Sequence, residues 1–442
     1  MKGKKKKAII VIVCIVGVLA SIFTGYFLYH RKYNGVWTTE GYGLCVKIRN
    51  GSVKFYEMTD SFYSREEGFD GFLFGDQLIS GIGKMKLVMT AEGLEMVDVG
   101  AQYTYRLNPA DASIFERKTE VKRGMPVEIF AMFFEMFDEN YAFESLYGAD
   151  ISAKYEELKG QVTKDTTDEE LFARMKELVS GLKDGHVQLE WDGNDYCPTD
   201  CVPEWILDDE QLSVISDVII GKYAKDYYKF ADCLIRYGTL SDKTGYIIIH
   251  GMGTESLNKT ASTRKAMDRI ITEFNKKGIE SVAIELRFNG GGYDEASLCL
   301  AGYFTDKPYI AYKKQARIEG GYAPLQEASV RPADEVFRGD VYILTSEYTI
   351  SAAETFLRAM LANPDHKITV VGERTAGFYS DAFERSLPGD FYYSLSNERY
   401  LWFNDEPLEG EGIEPDIRVP VSVESAREGR DDALDRIITE IG

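Results

Sequence analysis

Apolar and polar residues alternate with a period of two from about residue 35 to residue 118. The runs "LCVKIR" and "SVKFYEM" flank Asn50-Gly51, and this dipeptide between alternating runs is the strongest short signal for a β-hairpin. The alternation continues in "KLVMT", "LEMVDV" and "QYTYRL". The pattern predicts a small antiparallel β domain, either a barrel or a sandwich, over residues 35–118.

Over residues 125–190 the period changes to that of amphipathic helices. Pro126 suits the first position of a helix, and Thr167 and Glu170 have the spacing of a capping box. An apolar stripe follows at helical spacing: Leu171, Phe172, Met175, Leu178, Val179 and Leu182. The next segment, "KDGHVQLEW", alternates like a strand and carries His186. We predict a helical bundle that ends in this histidine-bearing segment.

Residues 241–442 alternate short apolar strands with helical runs. The strands are "GYIIIH", "SVAIEL", "VYILT" and "ITVVG", and runs such as "SAAETFLRAML" separate them. This alternation predicts an α/β core with a parallel sheet covered by helices, and we interpret residues 191–240 as an irregular connecting region. Ligands bind such sheets at the carboxyl ends of the strands, where "RFNGGGYDE" and "SEYTIS" lie.

The N-terminal pattern is different again. The basic run "MKGKKKK" precedes residues 8–28, an uncharged stretch long enough to cross about 30 Å of hydrocarbon as a helix. A cleaved secretory signal is the competing interpretation, but its apolar core is usually shorter and ends at a small-residue cleavage site. We expect residues 1–33 to be a cytoplasmic basic tail and a single-pass transmembrane anchor, with the rest of the chain outside the cytoplasmic membrane.

Composition narrows the classes of partner. The chain has 442 residues and a formal net charge of −21, and this acidic balance argues against nucleic-acid binding because phosphate backbones are repelled. Its hydrophobic content of 44% is ample for packed domains. The sequence contains no phosphate-binding loop and no closely spaced histidine pair, so we expect neither an organic cofactor nor a metal.

Five cysteines follow the predicted membrane segment: Cys45, Cys197, Cys201, Cys233 and Cys299. In an exported domain, Cys197 could form a disulfide with Cys201 or with Cys233, leaving at least one free thiol. Five reduced thiols are the alternative.

Ser351 is the first candidate for chemistry. Ser351 and Glu354 have capping-box spacing, so the simplest interpretation is that the serine caps a helix. A nucleophilic serine would instead need a base and donors for an oxyanion. The Ala352 N–H, at the helix start, could be one donor, and a glycine N–H from "NGGG" (residues 289–292) could be another.

The sequence has only four histidines, so the candidates for the base are few. His30 flanks the apolar N-terminal segment, His250 ends an apolar strand, and His366 lies in the polar turn "NPDHK". His186 stands in a glycine-bearing turn between a helix and a strand, which can present its side chain to a site. His186 is thus a candidate for the base, but a histidine bonded only within its own turn is the simpler interpretation.

Five segments occur in an order that resembles the C-terminal processing peptidases, in the branch similar to the tricorn core peptidase. They are "LFARMKELVSGLKDGHVQL", "IELRFNGGG", "TISAAETF", "VVGERTAG" and "LEGEGIEPDIRV", within residues 125–420. The resemblance implies a crotonase-like α/β core and makes Ser351 the nucleophile, His186 the base and Glu409 the acid that orients the base. Glu406 and Glu411 are alternatives for that acid.

The resemblance also implies an oxyanion hole from the Gly291 and Ala352 N–H groups. A second branch of the family uses a lysine base, but "TAGF" places Phe378 at that position. Gly185 stands where some relatives have a serine next to the histidine. About 60 residues separate His186 from "GYIIIH", too few for the PDZ domain that many relatives insert there.

We expect a membrane-anchored serine endopeptidase that hydrolyses extracytoplasmic proteins or peptides. An alternative is a catalytically idle ligand- or protein-binding protein on the same scaffold. A further alternative assigns the main role to residues 35–118 as an interaction module.

Overall fold

The computed structural model describes residues 2–98, 103–253 and 260–441, with side chains from Ile15 onward. Helix α1 is Lys2–His30. The side chains of the basic run and of the first half of the predicted membrane segment lie outside the described residues. Within the described part, no helix combines the length and apolar character needed to cross a bilayer.

The N-terminal domain is a β-barrel. Its strands are β1 Gly35–Thr39, β2 Leu44–Arg49, β3 Ser52–Met58, β4 Phe62–Phe74, β5 Gln77–Ser80, β6 Gly83–Met89, β7 Leu94–Asp98 and β8 Tyr103–Ala110. They pair antiparallel in sequence order, and pairing of β1 with β8 closes the barrel. The hairpin predicted at Asn50-Gly51 is confirmed, with φ of 53° and 85° at the two residues, as a type I′ turn requires.

Helices follow the barrel. After α2 Ile114–Arg117 and β9 Thr119–Glu120, the chain forms α3 Pro126–Asn140, α4 Glu144–Tyr147, α5 Ile151–Leu158 and α6 Asp168–Val179. Both bonds of the predicted capping box at Thr167 and Glu170 are present. The predicted apolar stripe of α6 is buried. His186 lies between the end of α6 and the next strand, as the pattern indicates.

The next strands are β10 Gln188–Trp191 and β11 Asn194–Tyr196, followed by α7 Glu204–Leu207 and α8 Asp209–Val218. Strand β10 pairs antiparallel with a much later strand, Phe391–Ser396, in the register Gln188↔Ser394. This long-range pairing fixes the His186 segment to the C-terminal domain. The five described cysteines are all free thiols, and the Cys201 thiol hydrogen-bonds Cys197 and lowers its pKa to about 7.

The C-terminal domain is an α/β core, as predicted for residues 241–442, but its main sheet includes two further strands from residues 191–240, which we interpreted as irregular. Its main sheet has the order β12-β13-β14-β15-β19-β20-β24, and the strands from β14 onward are parallel. The elements are β12 Lys225–Lys229, β13 Ile235–Thr239, β14 Thr244–Ile249, α9 Ala261–Lys277, β15 Ser281–Glu285, α10 Asp294–Ala301, β16 Tyr309–Ile318, β17 Gly321–Tyr322, β18 Gln326–Val330, β19 Asp340–Thr345, α11 Ala352–Leu361, β20 Ile368–Gly372, β21 Ala382–Leu387, β22 Phe391–Ser396, β23 Glu398–Leu401, β24 Ile417–Arg418, α12 Val423–Arg427 and α13 Asp432–Ile441.

The barrel packs directly on the α/β core. The Tyr42 hydroxyl donates to Glu398 Oε1 at 2.6 Å, and the Arg385 guanidinium lies 2.9 Å from Glu57 in a buried ion pair. Gln326 exchanges two hydrogen bonds with the backbone of Thr104, at 2.8 and 3.0 Å. These polar contacts place the barrel against the side of the core that carries β16.

Candidate functional site

Ser351 lies between the carboxyl end of β19 and the start of α11. Its backbone has φ 60° and ψ −124°, a conformation rarely adopted by a residue with a side chain. The side chain makes no capping hydrogen bond, so the predicted capping box is wrong. A Cβ added to Gly291 would stand 2.8 Å from Ser351 Cβ. Only glycine at position 291 therefore lets this loop lie so close to the serine. The serine is held in a strained turn with its hydroxyl free of a capping role.

Glu354 has a different role from the predicted one. Its buried carboxylate accepts hydrogen bonds from Thr375 Oγ1 at 2.6 Å, Gly377 N–H at 2.8 Å and Phe378 N–H at 2.9 Å. Burial raises the pKa of Glu354 to about 7, although these donors oppose the rise. The Ser351 N–H in turn donates to the Phe378 carbonyl at 3.0 Å. Glu354 thus fixes residues 375–378 beside the serine.

The two predicted oxyanion donors differ in whether their N–H groups already have an acceptor. The Ala352 N–H has no acceptor among the described residues, as expected for the first amide of a helix. The Gly291 N–H donates to Asn289 Oδ1 at 2.9 Å and is therefore already bonded. The next glycine, Gly292, has φ 136°, and its N–H meets no acceptor in the described parts of the chain. The loop after β15 therefore brings a second open amide to the site.

His186 is held by its own turn and by β22. Its N–H donates to Asp184 Oδ1 at 2.9 Å, and its carbonyl accepts from Ser394 Oγ at 2.6 Å. Burial lowers the pKa of the imidazole, and the negative charge of Asp184 partly opposes this. Within the described structure, the Nδ1 atom is buried without a hydrogen-bond partner. Burial therefore favours the uncharged form of the ring, which is the form that can accept a proton.

Glu409 lies beside this ring. Its Oε2 accepts from the Tyr379 and Ser380 N–H groups at 2.9 and 3.0 Å, whereas its buried Oε1 has no partner in the described chain. Burial, followed by the charge of Asp184, raises the pKa of Glu409 well above its ordinary value. The alternatives Glu406 and Glu411 are exposed. Of the three acids, Glu409 is the buried one, and it lies beside the imidazole.

One ring nitrogen of His186 and one oxygen from each of Asp184 and Glu409 lie within 4.8 Å of one another. These atoms could also bind a divalent ion, since imidazole and carboxylate groups are common zinc ligands. The same trio supplies the unpaired Nδ1 and Oε1 atoms that a histidine–acid pair needs. The arrangement therefore suits either a histidine–acid pair or a bound ion.

The structure does not join the serine to the histidine directly. No hydrogen bond connects the Ser351 hydroxyl with the His186 ring across the residues that the structure describes. Phe378 links them instead, because its carbonyl binds Ser351 and its ring meets the His186 ring edge-on with centroids 6.3 Å apart. The predicted residues therefore gather around residues 375–380, without a direct bond between the Ser351 hydroxyl and the His186 ring in the described chain.

Lys314 is a site residue that the sequence did not indicate. It shares a polar cavity with Ser351, yet it lies on β16, far from the expected loops. Its ammonium group is buried 3.2 Å from Glu398 and 3.5 Å from Asp294. Burial alone would lower the pKa of Lys314, but these carboxylates raise it above its ordinary value. A lysine that stays protonated cannot act as the base for Ser351.

Comparison with known proteins supports the resemblance. A sequence model described as Peptidase family S41 matches residues 243–419, which include Ser351 and Glu409 but not His186. A probable CtpA-like serine protease of Staphylococcus saprophyticus is 27% identical over 172 residues, which are 38% of this chain and 34% of that protein. The tail-specific protease of Haemophilus influenzae is 22% identical over 174 residues, 37% of this chain and 24% of that protein. The chain thus spans about a third or less of these relatives.

Solved structures show the same fold. A putative peptidase from Parabacteroides merdae superposes with a TM-score of 0.58 at 23% identity, covering 72% of this chain and 96% of that one. Mature CPAF gives a TM-score of 0.52 at 13% identity, covering 71% and 96%. The resemblance to the C-terminal processing peptidases is confirmed, and the fold is an α/β fold of the S41 peptidase type with mixed sheets and helices.

Proposed function

We propose that this protein is a serine endopeptidase with Ser351 as nucleophile, His186 as general base and Glu409 as the acid that orients the base. The observation that carries the proposal is the convergence of Glu354, His186 and Glu409 on residues 375–380, directly beside a strained serine. Strain of this kind collects at active sites, where the surrounding structure enforces it. The resemblance to the S41 peptidases supports the same assignment.

In the proposed reaction, His186 takes the proton of the Ser351 hydroxyl as the oxygen attacks the carbonyl carbon of the substrate. Nδ1–H of His186 then donates to the unpaired Oε1 of Glu409, which stabilises the imidazolium. The Ala352 N–H and a glycine N–H from residues 289–292 receive the oxyanion. The imidazolium finally protonates the leaving amine, and water releases the acyl group by the same steps.

This mechanism requires movement, because the hydroxyl and the imidazole are not bonded in the structure. Phe378 packs edge-on against the His186 ring, so a change in the position of the imidazole requires the Phe378 ring to move as well. Catalytic hydrogen bonds are often loose without substrate and tighten when it binds. We propose that a bound peptide displaces the Phe378 ring and completes the site.

An alkyl fluorophosphonate probe tests the nucleophile. We expect the full-length protein in detergent to be labelled at Ser351, and the Ser351→Ala variant to lose this labelling. The His186→Ala variant should lower hydrolysis of an unfolded protein substrate by about 10⁶-fold, since the nucleophile then lacks its base. Equal labelling of the wild type and Ser351→Ala would refute the proposal.

The chief alternative is a ligand- or protein-binding protein that keeps the scaffold without catalysis. The lack of a hydrogen bond between the Ser351 hydroxyl and the His186 ring, among the described residues, favours this alternative. Hydrolysis that is Ser351-dependent but unaffected by His186→Ala would exclude the proposed base. Absence of both labelling and hydrolysis would leave binding as the better account.

We further propose that the protein is anchored in the cytoplasmic membrane and acts on extracytoplasmic proteins or peptides. The uncharged residues 8–28 after a lysine cluster support this location. The described half of α1 also exposes large apolar side chains: Ile15, Val16, Val18, Leu19, Ile22, Phe23, Phe27 and Leu28. We expect alkaline carbonate to leave the full chain in the membrane fraction and to release a variant lacking residues 8–28. Release of the full chain would contradict an anchor.

A further inference from the structure

The last turn of α1 is bonded to the tip of the hairpin that β4 and β5 form in the barrel. The Tyr26 hydroxyl donates to the Leu73 carbonyl at 2.8 Å, and Nε2 of His30 lies 3.0 Å from the Gly75 carbonyl oxygen. Two further bonds reach Asp76 Oδ1 at the hairpin turn, from the Tyr29 hydroxyl at 2.8 Å and the Lys32 ammonium group at 2.9 Å. The hairpin tip is therefore held beside residues 26–32.

The uncharged stretch of α1 ends at the same level. Residues 8–28 carry no charge, and Arg31 is the first charged residue after them. Since an α-helix rises about 1.5 Å per residue, Tyr26 and His30 each lie about 3 Å along the axis from the last residue of the stretch, Leu28. In the proposed anchor, this level is the boundary between the hydrocarbon and the lipid headgroups, where tyrosine side chains concentrate.

The hairpin exposes two large aromatic side chains at this level. Phe72 is 54% exposed and Phe74 is 72% exposed, whereas Leu73 between them is buried in the barrel core. Successive side chains of a strand point to opposite faces, so both phenylalanines lie on the outer face of the barrel. Clustered apolar side chains that remain exposed mark surfaces that contact a partner or a membrane.

The same outer face carries two lysines. Directly opposite residues of antiparallel strands share a face. Two such rows cross β4, β5 and β6: Phe72, Ile79 and Lys84 form one, and Phe74, Gln77 and Lys86 form the other. Lys84 and Lys86 are exposed, and neither forms an ion pair with any residue that the structure describes. Both rows thus combine an exposed aromatic ring with a free positive charge.

We propose that this outer face of the β4–β6 strands is a membrane-contacting surface, in which Phe72 and Phe74 enter the edge of the hydrocarbon and Lys84 and Lys86 meet anionic lipid headgroups. The inference rests on the proposed anchor, because α1 brings the hairpin to the bilayer. Aromatic and lysine side chains suit this boundary, since each has an apolar part and lysine extends its charge to the headgroups. The chain as a whole has a net charge of −21, so these lysine-bearing rows, which contain no carboxylate, suit an anionic bilayer better than the average surface does.

A tryptophan at the hairpin tests contact with lipid. The full-length protein carrying Phe74→Trp would be reconstituted in vesicles of phosphatidylcholine and phosphatidylglycerol with brominated acyl chains, which quench a tryptophan that touches them. The unsubstituted protein, with its four tryptophans, gives the background.

The matched control is Leu207→Trp, at a position that is 70% exposed in α7. Helix α7 adjoins α8, which packs on the face of the main sheet opposite to the face covered by α9 and β16. We expect the added tryptophan of Phe74→Trp to be quenched several-fold more than that of Leu207→Trp, because only the hairpin lies at the bilayer. Equal quenching of the two would overturn the inference.

Lipid charge tests the part of the two lysines. Quenching of Phe74→Trp should be stronger with phosphatidylglycerol than in phosphatidylcholine alone, because anionic headgroups attract basic residues near the surface. Adding Lys84→Gln with Lys86→Gln should remove this difference. Lys276→Gln with Lys307→Gln makes the same change in net charge at exposed positions of the α/β core and should preserve it. Equal effects of the two pairs would overturn the assignment of headgroup binding to Lys84 and Lys86.

A tryptophan in α1 separates this inference from the proposed anchor. Phe27 is 45% exposed within the uncharged stretch. If Phe27→Trp is quenched while Phe74→Trp behaves like Leu207→Trp, the anchor stands and the membrane-contacting surface is refuted. If neither Phe27→Trp nor Phe74→Trp is quenched, the anchor fails and the inference fails with it.

Discussion

At the scale of single residues, the backbone of Ser351 shows how the site is built. The residue has φ 60° and ψ −124°. Gly291 lies so close to it in space that a side chain at position 291 would collide with Ser351. Glycine adopts such a conformation without the steric cost that a Cβ brings. The sequence indicated the helix start here but not the strain.

A glycine at position 351 should therefore stabilise the fold while removing the nucleophile. We expect the free energy of unfolding of Ser351→Gly to exceed that of Ser351→Ala by about 1 kcal/mol, since only the alanine variant retains the strain. Urea denaturation followed by circular dichroism measures this difference. A glycine variant less stable than the alanine variant would show that the turn is not strained.

Glu354 gives a prediction about pH. Burial raises its pKa from 4.5 to about 7, so the folded state binds its proton more tightly than the unfolded state does. Its contribution to stability is therefore fully present below about pH 4.5 and is lost as the pH rises through about 7. The loss amounts to about 3 kcal/mol at 1.36 kcal/mol per pH unit.

The matched control is Glu354→Gln, which keeps the side-chain shape without a titrating proton. The free energy of unfolding of the wild type minus that of the variant should fall by about 3 kcal/mol between pH 4 and pH 8. Other buried acids titrate in both proteins and cancel in this difference. A difference that stays constant with pH would contradict a raised pKa at Glu354.

At the scale of elements, two loops meet at Gly185. A Cβ there would stand 2.9 Å from Phe378 Cδ2 and 3.3 Å from Cys201 Sγ. The serine that some relatives carry at this position therefore cannot fit while Phe378 keeps its place. Glycine at 185 and phenylalanine at 378 are two parts of one packing arrangement.

Gly185→Ser should consequently destabilise the fold by about 1–3 kcal/mol through overpacking. In a Phe378→Ala background the same substitution should cost much less, because the crowding ring is gone. A double-mutant cycle on the free energy of unfolding measures this coupling. Additive effects of the two substitutions would show that the side chains do not compete for space.

At the scale of the whole molecule, the barrel and the core depend on each other. Glu57 of the barrel is fully buried, and its pKa is raised by burial and lowered by Arg385 of the core. Deleting residues 35–118 would leave Arg385 without its partner and expose the core. Loss of binding partners after such a deletion therefore cannot by itself identify the barrel as an interaction module.

Removing Arg385 tests how strongly the barrel and the core depend on each other for stability. Arg385→Ala should lower the free energy of unfolding by about 3–5 kcal/mol, because it leaves the buried Glu57 carboxylate without a counter-charge. Arg123→Ala breaks an exposed pair with Asp390 and should cost about 1 kcal/mol or less. The double variant Arg385→Met with Glu57→Gln should recover part of the loss. Equal costs for Arg385→Ala and Arg123→Ala would show that the buried pair does not join the domains.

The sequence alone determined most of the architecture. The hairpin at Asn50-Gly51, the capped helix after Thr167 and the parallel strands of the core all follow from local pattern, because turn chemistry and side-chain periodicity act over a few residues. The segments that resemble the S41 peptidases also pointed to Ser351, His186 and Glu409 before any coordinates.

Only the tertiary structure decided how these residues are placed relative to one another. Pairing of β10 with β22, about 200 residues apart, places His186, and Glu354 binds residues 375–378 instead of capping its helix. The cavity that Lys314 and Tyr105 share with Ser351 joins strands from two domains. Long-range pairing and burial depend on the packing of the whole chain, so a local sequence pattern carries no record of them.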